Sequence, residues 1–215
     1  MTEFLIIAAA FLVMYRSLGR LEVAPAAPSL TPPSPVASKL TQLVTYADRL
    51  YSEKKWLAAE KAYLSVLKLD HKHVTAYSHL GIIYSTQKNL PDAIECFQIA
   101  ARLHPSATTF QNLGLAYFDN HNLIKSIAAF QKAIMFEPNA QRYVGLSRAQ
   151  AKLGNLTDAI TSLEAAAKLE PTRRIYQMLA DTCDEANRPS AARAARRRIQ
   201  EIEVDNSKPT SKPLK

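Results

Sequence analysis

A two-residue signature returns along this chain at a fixed step, and that return limits the fold more sharply than composition does. Leu80 and Gly81 in "YSHLGIIY" come back as Leu113 and Gly114 in "FQNLGLAY", as Leu146 and Ser147 in "YVGLSRAQ", and as Leu179 and Ala180 in "YQMLADTC", at an equal interval each time. One further step back stand Tyr46 and Ala47. An aromatic precedes the second member by four residues at Tyr77, Phe110, Tyr143 and Tyr176, and a small residue follows it by twelve at Ala59, Ala93, Ser126, Ala159 and Ala192. Tyr63, Phe97, Phe130 and Leu163 keep the same phase, as do Val66, Ala100, Ala133 and Ala166. Self-similarity at roughly 20 to 50 residues marks stacked repeats, in which each unit buries its apolar face against its neighbours.

Each unit reads as two helices. In "DAIECFQIAARL" the apolar residues recur at threes and fours, which puts them on one helical face. Small residues such as Gly81 and Ala93 suit the crossing of two helices, where a larger side chain would push the backbones apart. Tyr77, Tyr84 and Phe97 fill the space around that crossing, so the units share a continuous core. Pro91 is tolerated at a helix start, where its missing N–H has no partner to lose. Pro105, Pro138 and Pro171 close the middle units by disfavouring helical geometry one residue earlier.

This pattern closely resembles the tetratricopeptide repeat over residues 40–204. The resemblance implies an all-α, right-handed superhelical solenoid of about five helix-turn-helix units, at 40–73, 74–106, 107–139, 140–172 and a degenerate cap at 173–204. The first unit has His71 where later ones have proline, and the fifth has Cys183 at a core aromatic position. In the last helix Ala192, Ala195, Ile199 and Ile202 share one face while Arg193, Arg196, Arg197 and Arg198 occupy the others, as a solvated end requires.

Residues 1–21 differ in character. From Phe4 to Tyr15 the chain reads "FLIIAAAFLVMY" without a charge, about 18 Å as a helix against a hydrocarbon core of roughly 30 Å. Extension to Leu21 nearly closes the gap and takes in Arg16 and Arg20, whose stems can snorkel to headgroups. The expectation is a single N-terminal transmembrane helix, and both arginines on its C-terminal side place the array in the cytoplasm. The rival is a signal peptide cleaved near Ala24 to Ala26, with export of the rest; the lack of Lys or Arg before the apolar run argues against it. Residues 22–39 hold five of the twelve prolines and read as a semi-rigid proline-rich linker. Residues 205–215, with Lys208, Lys212 and Lys215, read as a disordered basic tail.

Function in such an array belongs to its surface. The resemblance places Asp48, Tyr51, Ser78, Ile82, Gln111, Leu115, Phe118, Val144, Arg148, Lys152 and Asp181 on a concave groove suited to a partner's peptide segment or helix. The family's clamp for a chaperone's C-terminal carboxylate needs Lys and Asn where this chain has Ser78 and Ile82, or Val44 and Asp48; only Asn112 matches, so that clamp is not expected. The resemblance implies a protein-interaction scaffold or assembly factor. The alternative is electrostatic binding of nucleic acid or anionic lipid by the seven arginines between Arg173 and Arg198. Asp181, Asp184, Glu185, Glu201 and Glu203 temper that unit, and no stacking aromatics interleave the arginines, which argues against nucleic acid.

Chemistry finds little support. The net charge of +8 is partly in the tail and does not demand a polyanion. Cys96 and Cys183 are too far apart for a metal or redox motif, and reduced thiols fit a cytosolic face. None of the five glycines builds a phosphate-cradling loop, and His71 and His73 lie in a turn with only Asp70 near. No enzyme, metal or cofactor is expected.

Overall fold

A computed structural model describes residues 35–207, and among them the chain is entirely helical, with turns between the helices. Ten helices follow in order: α1 (Pro35–Ser52), α2 (Trp56–Leu69), α3 (Val74–Thr86), α4 (Leu90–Leu103), α5 (Ala107–Asp119), α6 (Leu123–Phe136), α7 (Ala140–Lys152), α8 (Leu156–Leu169), α9 (Arg173–Glu185) and α10 (Pro189–Ser207). The described residues from 39 onward belong to one compact unit. The odd-numbered helices open the five repeats and the even-numbered ones close them, giving the all-α solenoid.

The turns repeat as faithfully as the helices. Within each unit one residue is left-handed: Lys54, Lys88, His121, Gly154 and Asn187, with φ between 55° and 88°. The amide of the next residue donates five positions back, as Lys55 to Leu50, Asn89 to Tyr84 and Asn122 to Tyr117, which closes the first helix in a Schellman motif. Only the fourth unit uses the residue type best suited to that geometry, Gly154. Between units, α4, α6 and α8 stop two residues short of Pro105, Pro138 and Pro171, and His104, Glu137 and Glu170 ahead of them are extended. The next helix is then capped by a side chain accepting from its third amide: His73 from Ala76, Ser106 from Thr109, Asn139 from Arg142 and Thr172 from Ile175. His73 is thus a helix cap, and among the described residues no His, Cys, Asp and Glu cluster could hold a metal.

Helix crossings show why small residues keep their places. A Cβ on Gly81 would stand 2.6 Å from Phe97 Cε1, and one on Gly145 would stand 2.5 Å from Phe130 Cε1. Gly114 lies against the other side of Phe130, at 3.1 Å. Phe130 on α6 therefore sits between α5 of its own unit and α7 of the next. The core continues this way from Ala47, Tyr63 and Leu80 at one end to Leu179, Cys183 and Ala195 at the other. In α10, Ala192, Ala195 and Ile199 are buried and the arginines between them are exposed, as expected of a cap.

Two boundaries move. Residues 35–39, assigned to the linker from sequence, belong to α1, because a proline at the first helical position loses no intrahelical bond. Residues 205–207, assigned to the tail, continue α10. Trp56 opens α2 and packs edge-on to Tyr51 with centroids 5.5 Å apart. Among the described residues no helix is long and apolar enough to cross a membrane. The expected transmembrane helix at 1–21, most of the linker, and the tail from 208 lie outside the described residues.

Candidate functional site

The opening helices α5, α7 and α9 line a cleft of about 320 Å³. Its apolar surface comes from Leu115, Val144, Ile175 and Met178, with the Phe130 ring and the bare backbone of Gly145 below. Gln111, Gln141, Arg148, Glu170, Thr172 and Arg174 supply the polar side. Gly145 matters twice here: without a side chain it admits the Phe130 ring and leaves the space above it open. Four residues expected on the groove, Gln111, Leu115, Val144 and Arg148, meet in this cleft. Leu115 is apolar and yet exposed, which suits a surface that awaits a partner.

Phe118 and Lys152 extend the same wall. The Arg148 guanidinium lies 4.8 Å and the Lys152 ammonium 5.0 Å from the Phe118 ring centroid, close enough for both to draw on its π face. Lys152 Nζ also stands 3.2 Å from His121 Nδ1. None of the ion pairs among the described residues gives either cation a carboxylate.

Arg142, a residue with no place in the sequence-based groove, controls one of its members. It is only 5% exposed. Its Nε donates to Gln111 Oε1 at 3.0 Å, and one terminal nitrogen donates to the Glu137 carbonyl at 2.6 Å and faces the Glu137 carboxylate at 3.1 Å. An arginine buried with three partners is fixed in place.

The first-unit end of the groove is closed by its own side chains. The buried Tyr63 hydroxyl donates to Asp48 Oδ1 at 2.7 Å and lies 2.6 Å from His79 Nδ1. Since that hydroxyl proton goes to Asp48, His79 Nδ1 is the donor to the hydroxyl oxygen. Tyr51 stacks on the His79 ring at 4.3 Å between centroids. Burial holds the His79 imidazole below its ordinary value and outweighs the opposing pull of the Asp48 carboxylate. Burial also raises the Tyr63 phenol, helped by its bond to Asp48. Asp48 and Tyr51, both expected to face a partner, take part in this network and stay partly exposed. Ser78 and Ile82 on α3 are half-buried, and Asp181 on α9 is exposed and accepts from Gln177 at 2.8 Å.

Three of the seven arginines of the cap pair with its own acids. Arg173 pairs with Glu203 at 3.1 Å, Arg196 with Asp184, and Arg198 with Glu201. Thiol chemistry is disfavoured as well, since burial pushes the Cys96 thiol up to about 12, far from the range of a reactive thiolate.

Family models described as "Tetratricopeptide repeat" match residues 47–108, 107–139 and 144–204. A crystal structure of MamA protein aligns with a TM-score of 0.74 at 24% identity, covering 82% of this chain and 98% of that one. MamA 41-end from Desulfovibrio magneticus RS-1 aligns at 0.72 with 14% identity, over 79% and 98%. YrrB, a TPR protein described as having an unusual peptide-binding site, aligns at 0.66 with 20% identity, over 76% and 86%. These likenesses establish the fold. No curated protein matches the chain in sequence.

Proposed function

The chain belongs to the tetratricopeptide repeat family, and on that premise we propose that it is a protein-interaction scaffold or assembly factor that holds a partner's peptide segment or helix along its opening helices and performs no chemistry of its own. The observation that carries this reading is the cleft between α5, α7 and α9, where an exposed leucine, a bare glycine backbone and cations without a carboxylate partner lie side by side. A peptide-binding site is stated of YrrB, a structural neighbour, which is consistent with such a use of the fold. We further propose that residues 1–21 anchor the protein in a membrane, with the array on the cytoplasmic side; the uncharged run from Phe4 to Tyr15 supports this. The pairing of Arg173, Arg196 and Arg198 with carboxylates favours the scaffold reading over electrostatic binding by the cap.

The test is affinity capture of the full-length protein from its native membranes in mild detergent at low and high salt. A defined set of proteins retained at high salt, and lost on changing Leu115 and Phe118 together to Ala while helical content stays intact, is the expected result. Recovery of nucleic acid or lipid alone, released as salt rises, would shift the activity to the cap. Recovery in the soluble fraction would remove the anchor.

A further inference from the structure

Arginine carries hydrogen-bond donors and no acceptor, so the atom of Gln111 that faces Arg142 Nε at 3.0 Å is its carbonyl oxygen. The other end of that amide, the NH2 group, is therefore turned away from Arg142, and Gln111 lines the cleft. Gln111 thus has its donors free for the cleft, with its oxygen engaged by Arg142. Arg148 and Arg174, on the same cleft, offer only donors. Among the described residues Glu170 is the one carboxylate side chain lining it, set against two guanidiniums. Just beyond, Lys152 lies over Phe118 with no carboxylate among the described ion pairs.

We infer that the cleft between α5, α7 and α9 selects an acidic segment of a partner protein, placing an Asp or Glu carboxylate on the Gln111 amide and the Arg148 guanidinium while a neighbouring apolar side chain enters the space over Gly145. This rests on the scaffold reading given above and adds to it the chemistry of the partner. The apolar element meets Leu115, Val144 and Met178, and the carboxylate replaces water on the donors that face the cleft. Charge complementarity disfavours the chain's own tail from 208, which carries three lysines and no acidic side chain. Arg142 is a positioning residue: it holds the Gln111 amide so that its N–H groups face the ligand.

The test uses the full chain and a displayed library of random peptide segments about a dozen residues long, followed by synthesis of the enriched peptides with each Asp and Glu also made as Asn and Gln. The enriched segments should carry an acid beside a Leu, Ile, Met or Phe, and loss of the acid should weaken binding at least about tenfold. Gln111→Glu keeps Arg142 paired and turns a second carboxylate oxygen into the cleft. It should cost acidic peptides about tenfold while leaving their amide counterparts unchanged, as should Arg148→Glu. Arg142→Leu should narrow the affinity ratio of acid to amide peptides; a fall in both with the ratio kept would assign Arg142 a purely structural role and overturn that part. Enrichment of neutral or basic segments that still depend on Leu115 would overturn the acidic preference and leave the scaffold reading standing. No enrichment, or binding indifferent to every cleft variant, would overturn both.

Discussion

Two ends of one groove use the same repeat positions to opposite effect. Tyr63 on α2 and Phe130 on α6 are equivalent by the repeat step, and so are the residues they meet on the next unit, His79 on α3 and Gly145 on α7. At the first junction the pair is tyrosine and histidine, and the space between helices is filled by an imidazole bonded to a phenol. At the third it is phenylalanine and glycine, and the space is a cleft. The backbone plan is the same at the two junctions, and the side chains placed on it differ. Tyr51 and Phe118, also equivalent, follow suit: the first is stacked on His79, the second is left at the surface under two cations.

The largest effect should come from removing the ring that the third junction is built on. Phe130 is 1% exposed and touches the backbone of two units, so Phe130→Ala deletes a buried aromatic and leaves a cavity. A loss of about 3–5 kcal/mol is expected in urea unfolding followed by circular dichroism, with peptide capture lost as well. A loss below about 1 kcal/mol would mean that α5 and α7 close over the gap, and the comparison of the two junctions would fail.

A smaller change probes the missing side chain itself. Gly145→Ala puts a Cβ 2.5 Å from the Phe130 ring, whereas Gly114→Ala meets the same ring at 3.1 Å. Overpacking costs about 1–3 kcal/mol, offset by about 1 kcal/mol for alanine over glycine in a helix. Gly145→Ala should therefore be net destabilising by up to about 2 kcal/mol and Gly114→Ala close to neutral. Equal effects on the melting temperature would show that the ring moves freely and that glycine at 145 is not what shapes the cleft.

Tyr63→Phe makes the first junction resemble the third. It removes a buried hydroxyl that serves both Asp48 and His79. The loss should be about 1–2 kcal/mol, because both partners keep some access to water. Binding at the distant cleft should be unchanged. A weakened affinity there would mean that the two ends are coupled through the stack.

How far the chain could be read in advance follows from what the repeat does and does not encode. The phase of Leu80, Gly81, Ala93 and Phe97 fixes helix pairing, since each position has one packing role in every unit. Prolines 105, 138 and 171 mark the inter-unit turns for the same reason. The left-handed residues were hidden because four of the five are Lys, His or Asn rather than glycine. Of the eleven residues expected on the groove, Gln111, Leu115, Val144 and Arg148 converge on one cleft. The network of Asp48 and Tyr51 with His79 was not legible, because repeat position says which way a side chain points and not what the next helix brings to it. The same holds for Arg142, which reaches Gln111 on the preceding unit; Lys152 with His121 and Arg188 with Thr157 keep the same sequence separation, a register set by stacking of successive units.

The smallest effect separates the ends by pH. Burial holds folded His79 below its ordinary value near 6.5, with Asp48 pulling the other way and His73 adding to the depression. The unfolded chain therefore binds a proton at His79 more readily than the folded one. Stability from this group is complete above about pH 6.5 and declines as pH falls below it toward the folded value. Protonation puts a charge between the Tyr51 ring and the Tyr63 hydroxyl, so the loss should concentrate in α1 to α3. The third junction has Gly145 in that place and no imidazole there. Amide exchange at pH 7.5 and 5.5 should quicken in α1 to α3 relative to α7, and His79→Gln should remove the difference. Stability that rises instead on acidification would mean that the Asp48 carboxylate outweighs burial, and the first junction would then be tightened rather than loosened by the same proton.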